Sequence, residues 1–195
     1  MPTGVAMRDA REQLFDAAER VLLREGPGAL TSRAVTTEAG CAKGVLHRHF
    51  DDFDGFLAEL VTDRIDRLGL RALALQDAAG TATVVENLSG ALTDVFTSVA
   101  VAMVGLITSR DGLRARLREK HPRGVPLLTQ AAAMVRNYLT AEQLAWRVST
   151  DADVDTLAPT LIGAAHLLFA DRTGPPPNPE DVHRTVGAVM AGVLA

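Results

Sequence analysis

A single cysteine, Cys41, stands among the 195 residues. One thiol excludes an internal disulfide and a cysteine-rich zinc site, and it suits a reducing compartment. The chain also lacks the evenly spaced short β-branched segments of an all-β protein. Ala, Leu, Glu and Arg dominate instead, and they favour helix throughout. Its most apolar run, Val95 to Ile107, is 13 residues long, where a membrane span needs roughly 20. The first residues, "MPTGVAMRDAREQLF", carry no basic region, apolar stretch and cleavage site of a secretory signal, so a cytoplasmic protein is expected. An excess of basic residues is missing too: the net charge is −4, which excludes a protein that coats nucleic acid indiscriminately. No nucleophile–base–acid spacing and no phosphate loop occurs, and His121, His166 and His183 are scattered. We therefore expect no enzyme, no cofactor and no metal site.

What is present is an ordinary globular composition, 47% apolar and 23% charged, enough for one or two domains with a real core. After a loose leader over 1–7, Ala10, Leu14, Ala17, Ala18, Val21 and Leu22 recur at helical spacing. "GPG" at 26–28 ends that helix. Thr31 is a good N-cap for a second helix through Ala39, and Gly40 is the residue most easily placed at a left-handed stop. A very short third helix follows from Ala42 to Phe50. Asp51 or Asp52 caps a long fourth helix, whose apolar positions from Phe53 to Leu75 keep the period. Further helical regions are expected from Val84 to Thr108, over 127–139 and 141–148, over 156–170 with Pro159 in the first turn, and from Asn178 as cap to about Leu194.

The stretch "AGCAKGVLHRHF", Ala39 to Phe50, carries the functional argument. A helix of about eight residues is marginal alone in water, so its neighbours must hold it. Leu46 and Phe50 lie four apart and can face the first two helices. That leaves Lys43, Val45, His47 and Arg48 free, a short surface of cations with one apolar contact. From Thr31 to Phe50 three cations (Arg33, Lys43, Arg48) stand against one acid, Glu38. Two helices joined by a tight glycine-containing turn, the second displaying such a surface, describe a helix-turn-helix whose second helix lies in the DNA major groove. Gly44 costs about 1 kcal/mol in a helix interior; its close neighbour is DNA backbone or the crossing second helix. Phosphate binding calls on Lys43, Arg48, His47, the Thr31 hydroxyl and the N-terminus of the second helix. Lys43 or Arg48 suits guanine O6/N7, and Val45 a thymine methyl. His47 and His49, two apart, point to different sides and make no metal pair. Cys41 reads as a small buried thiol at the turn.

Residues 8–68 resemble the DNA-binding domain of the TetR family of bacterial transcriptional regulators. Ala39, Gly40, Gly44, Leu46, His49 and Phe50 match the family signature, as do the spacing from "REGPGALT" and the length of the first helix. The resemblance implies a helix-turn-helix at about 31–50 whose DNA contacts come from Thr31, Ser32, Arg33, Ala42, Lys43, Gly44, Val45, His47, Arg48 and His49. It departs at His47 where the family usually has Tyr, at Ala42 and Cys41, and at Phe53, where a Lys usually meets phosphate. With Asp51, Asp52 and Asp54 close by, that loss should weaken the phosphate clamp and make DNA affinity sensitive to pH and salt.

The expected fold is all-α: an N-terminal three-helix domain joined by a long fourth helix to an all-helical ligand-binding and dimerisation domain over 80–195. Segments 156–170 and 84–108 are more apolar than one buried face requires and must be covered by each other, a partner subunit or a ligand. The last helix presents Val182, Val186, Val189, Met190 and Val193 beside Gly187, Ala188, Ala191 and Gly192, which permit close approach, so 156–170 and 180–194 suit a homodimeric four-helix interface. A dimer places two recognition helices about 34–36 Å apart, matching a pseudo-palindromic DNA operator. Phe96, Met103, Met134, Tyr138, Trp146, His166 and Phe169 are the candidates to line a cavity for a small-molecule effector, as the resemblance implies. The segment "RDGLRARLREKHPR", with Arg110, Arg114 and Arg118 four apart, reads as a solvated helix face. The function expected is a ligand-responsive, sequence-specific regulator, most often a repressor in this family; the alternative is a helical small-molecule-binding or scaffold protein that has lost operator binding.

Overall fold

The computed structural model describes residues 4–42, 44–97, 99–171 and 174–195, with side chains from Ala10 onward. Among the described residues the chain forms ten α-helices and a short 3-10 turn, Pro27–Ala29. The helices are α1 (Gly4–Glu25), α2 (Ser32–Glu38), α3 (Gly44–His49), α4 (Phe53–Asp77), α5 (Val84–Phe96), α6 (Ala100–Ser109), α7 (Asp111–Lys120), α8 (Leu128–Leu144), α9 (Val154–Phe169) and α10 (Pro179–Met190). The first helix begins at Gly4, earlier than the expected leader allows.

Two compact units divide these elements. The first takes residues 1–63 together with 102–123, the second 64–101 with 124–195. This partition differs from 8–68 and 80–195, because most of α6 and all of α7 cluster with the amino-terminal helices. The reason lies in the apolar surface they bring, since Met103, Leu106, Ile107, Leu113 and Leu117 are buried. At Gly105 α6 runs beside the 3-10 turn, where a Cβ would stand in ordinary contact with the Pro27 ring at 3.8 Å.

In the first unit α1 buries Leu14, Ala17, Ala18, Val21 and Leu22, the stripe read from its periodicity. Its Phe15 joins Phe50 and Phe56 in an aromatic cluster with ring centres 5.9 and 5.6 Å away, and Phe50 meets Phe56 edge-on at 4.9 Å. The Asp52 carboxylate caps α4 by accepting from the Gly55 amide at 2.8 Å.

In the second unit α5, α8, α9 and α10 pack around Leu88, Leu92, Phe96, Val135, Tyr138, Leu161, Val186 and Met190, with Leu68 and Leu75 from α4. A capping box starts α5: the Glu86 amide donates to Thr83 Oγ1 at 3.1 Å and the Thr83 amide to Glu86 Oε2 at 2.9 Å. Asn178 caps α10, accepting from the Asp181 amide at 2.9 Å. Asp153 caps α9 two residues before the expected start, so Pro159 falls in the second turn and not the first. It is tolerated there because Asp155, whose carbonyl loses its partner, is exposed beside it. The end of α8 comes at Leu144, with Trp146 left-handed at φ 59°. Residues 147–149 then run alongside 193–195, with an antiparallel bridge from Val148 to Leu194, which stops both α8 and α10 short of their expected ends.

A polar network ties the 78–82 loop to the end of α8. Glu142, fully buried, accepts from the Gly80 amide at 3.3 Å and pairs with Arg147 at 3.4 Å. Arg147 donates onward to the carbonyls of Thr81, at 2.8 Å, and Ala82. Asn87 Nδ2 donates to Tyr138 Oη and to the Ala78 carbonyl, both at 3.1 Å. Burial pushes the Tyr138 phenol up, and its bond to Glu142 reinforces the shift. Satisfied buried groups of this kind fix a loop in one conformation.

Candidate nucleic-acid interface

Thr31 is extended (φ −129°, ψ 159°) and its hydroxyl oxygen accepts from the Ala34 amide at 3.1 Å, so α2 starts where the sequence places it. Gly40 ends it at φ 65°. The Cys41 amide reaches back to the Thr36 carbonyl at 3.0 Å and the Gly40 amide to Thr37 at 3.1 Å, a Schellman stop that turns the chain sharply into α3. Cys41 itself is half-buried.

Helix α3 is shorter than the expected 42–50, six residues from Gly44 to His49. Leu46 and Phe50 are buried as the spacing predicts. On the other side Ala42, Gly44, His47 and Arg48 are exposed and Val45 is half-exposed; Thr31 and Arg33 of the preceding helix are exposed as well. Arg33, His47 and Arg48 pair with no carboxylate among the described residues. Lys43 lies outside the described residues. The acid of this window is already engaged: Glu38 accepts from Arg20 at 2.7 Å and from Arg24 at 3.0 Å, and these bonds hold its carboxyl below the usual range.

Gly44 answers the question its cost raises. A Cβ built on it meets nothing within 4 Å, and its φ lies outside the left-handed region. The crossing second helix is therefore not the close neighbour. The space above Gly44 is open among the described residues.

Two of the expected contact residues stand apart from the exposed face. Ser32 Oγ is buried and without a hydrogen-bond partner among the described residues. His49 is half-buried with its ring 6.5 Å from that of Phe50, and its carbonyl faces Arg11 Nη1 at 3.5 Å.

Sequence reasoning missed three arginines. Arg11 lies over the Phe50 ring at 4.6 Å and pairs with Glu59. Arg110 lies over the Phe53 ring at 5.1 Å and pairs with Asp54, while Arg116 pairs with Asp52. The acidic cluster expected to repel phosphate is thus largely neutralised, and "RDGLRARLREKHPR" is more than a solvated face. Phe53, where a lysine was expected, stacks on Phe56 at 5.6 Å.

The ligand candidates do not form one set. Phe96, His166 and Phe169 meet in the second unit, with Phe96 stacked on Phe169 at 5.9 Å and edge-on to His166 at 6.0 Å. Met134 and Tyr138 are buried in the same unit's core. Met103 belongs to the first unit. Trp146, left-handed at φ 59°, is 77% exposed, so it lines no interior of the chain. Among the apolar residues of α10, Val182, Val186 and Met190 are spent on the unit's own core. Its exposed residues are Pro179, Glu180, His183, Arg184 and Ala188, with Ala191 and Gly192 exposed just beyond its end, and α9 exposes Asp155, Thr156, Pro159, Thr160, Gly163 and Leu167.

Residues 14–60 match the family described as bacterial regulatory proteins, tetR family. Over 80 residues the chain is 34% identical to the HTH-type transcriptional regulator PksA of Bacillus subtilis; the match takes 37% of this chain and spans only 39% of that regulator's length. Among solved structures, the reduced form of Escherichia coli NemR superposes with a TM-score of 0.73 at 12% identity, over 96% of this chain and 97% of that one. The ketosteroid transcriptional regulator KstR2 of Mycobacterium tuberculosis gives 0.61 at 21% identity, with 95% of each chain covered. At such identities the structures establish the fold. Among the described residues no single helix is long and apolar enough to cross a membrane.

Proposed function

We propose that the chain, whose residues 14–60 match the tetR family of bacterial regulatory proteins, is a sequence-specific transcriptional regulator of that family that binds a DNA operator through α3. The observation that carries this reading is the exposed face of α3. It offers Arg48, His47 and Val45 beside a glycine with open space above it, braced from behind by Leu46 and Phe50. In a major groove Arg48 would read a guanine edge or hold phosphate, and Val45 would meet a thymine methyl. The Thr31 hydroxyl and the first amides of α2 would fix the register on the backbone.

We further propose a homodimer on a pseudo-palindromic site. The outward stripe Thr156, Thr160, Gly163 and Leu167 of α9 supports it, since Leu167 is 78% exposed and small neighbours let a second copy come close. Effector control is proposed on the apolar second unit, where Phe96, His166 and Phe169 form the aromatic core; a ketosteroid regulator among the fold neighbours is in keeping with an apolar effector. An effector that binds a DNA-incompetent conformation more tightly than the DNA-binding one would release DNA, and repression relieved in this way is the action proposed. The reading places the protein in the bacterial cytoplasm.

Gel-shift of the purified protein against its own upstream DNA tests the proposal. Binding that weakens with salt and resists nonspecific competitor supports a regulator. No shift at any salt concentration would favour a helical scaffold or small-molecule-binding protein that keeps the fold without the operator.

A further inference from the structure

After Ser109 the chain returns to the first turn of α4 and docks there through named contacts. Arg110 covers Phe53 at 5.1 Å and pairs with Asp54; Arg116 pairs with Asp52. Gly112 comes so near the Asp54 carboxylate that a Cβ would overlap it, and a Cβ on Gly55 would stand 3.5 Å from Arg116 Nη1. The four charged side chains keep between 28% and 51% of their surface exposed. Pairs this exposed contribute little to stability. Their position gives them another consequence.

Asp52 lies three residues beyond His49, hence within roughly 11 Å of the end of α3 at about 3.8 Å per residue. That is about one Debye length at 0.1 M salt, so an unpaired carboxylate there acts on a phosphate held by α3. Between residues 43 and 54 two cations, Lys43 and Arg48, stand against Asp51, Asp52 and Asp54, a net charge of −1. Adding Arg110 and Arg116 makes it +1. The sign that the end of the helix-turn-helix presents to DNA is thus decided by residues more than fifty positions away.

We propose that Arg110 and Arg116 form a charge latch: by neutralising Asp52 and Asp54 they allow the α3 face to meet DNA phosphate, so DNA binding requires α7 to be seated on the first turn of α4. This rests on the DNA-binding reading above. By reciprocity, bound DNA holds α7 in place, and any event that lifts α7 uncovers two carboxylates beside the phosphates and expels DNA.

The test is a charge cycle in the full chain, read as the dissociation constant for its own upstream DNA at several salt concentrations, with circular dichroism to verify folding. Arg110→Gln with Arg116→Gln is expected to weaken binding about tenfold or more. Adding Asp52→Asn and Asp54→Asn should return it to within about threefold of wild type, since Asn caps α4 as well as Asp does. Arg110→Lys with Arg116→Lys keeps the charge and should stay within about threefold of wild type, even if the glutamine pair does not fold. The latch is overturned if the glutamine pair binds like wild type, or if the lysine pair binds as weakly as the glutamine pair. It is equally overturned if the fourfold variant stays weak with a shallower salt slope, because the arginines would then touch phosphate themselves. Wild type that binds no DNA would instead overturn the regulator reading.

Discussion

The guanidinium of Arg11, on α1, lies 4.6 Å above the ring of Phe50, at the end of α3. The first helix thereby covers the anchor that holds the recognition helix, while Phe15 and Phe56 close the ring's other contacts. Phe50→Ala should therefore cost about 3–5 kcal/mol, the range for a buried aromatic cut to alanine. Arg11→Ala should cost about 1 kcal/mol or less, the size of an exposed cation–π contact with a surface ion pair. Urea unfolding of both variants checks the difference.

Gly44→Ala separates fold from function. A Cβ has open space and an ordinary backbone conformation, so stability should hold or rise by up to about 1 kcal/mol from helix propensity. DNA affinity should fall at least about tenfold, because the added methyl occupies the space left for DNA. Equal affinity for the two proteins would show that no partner approaches there.

Glu142 ties the 78–82 loop to the end of α8 from a fully buried position. Glu142→Ala leaves the Gly80 amide without its acceptor and Arg147 without its carboxylate, though still bonded to the Thr81 and Ala82 carbonyls, and should cost about 3 kcal/mol. Glu142→Gln keeps an acceptor for the amide and should cost less. Thermal melts of the two variants, compared at equal protein concentration, measure the gap.

Three exposed carboxyls are held below their usual range. Glu38 is lowered by Arg20 and then Arg24, Glu86 by the Thr83 amide and hydroxyl, and Asp153 by the Thr156 hydroxyl and amide. A depressed folded-state value means the stabilisation is present above the unfolded value and lost as pH falls through the folded one. Stability should thus be level near neutrality and decline below about pH 4, the ordinary carboxyl range. Asp153→Asn keeps the cap and should flatten part of that decline in urea titrations at pH 7 and pH 3.5.

Local signals were legible in the sequence because their physics is local. Thr31 caps α2 by a bond that spans three residues, Gly40 needs only its own φ, and the burial of Leu46 with Phe50 follows from a spacing of four. Contacts set by the path of the chain were not. Arg11 meets Glu59 across 48 positions and Arg116 meets Asp52 across 64, and no pattern within a window joins them. The same holds for α7, whose arginines look like a solvated face until α4 is beside them. In the second unit, Val182, Val186 and Met190 were read as part of an intersubunit face; an apolar stripe says that it must be covered but not by what, and here the unit's own core covers it. Trp146 shows the opposite case, a large aromatic taken as a cavity candidate that stands exposed at the left-handed turn after α8.

The account stands on α3 entering a major groove, and methylation protection of bound operator DNA tests this directly. Dimethyl sulfate modifies guanine N7 in the major groove and adenine N3 in the minor groove. The account predicts guanine N7 protected in two patches one helical turn, about 10 base pairs, apart, with protection lost in Arg48→Ala. Protection confined to adenine N3, or a wild-type pattern in Arg48→Ala, would contradict it.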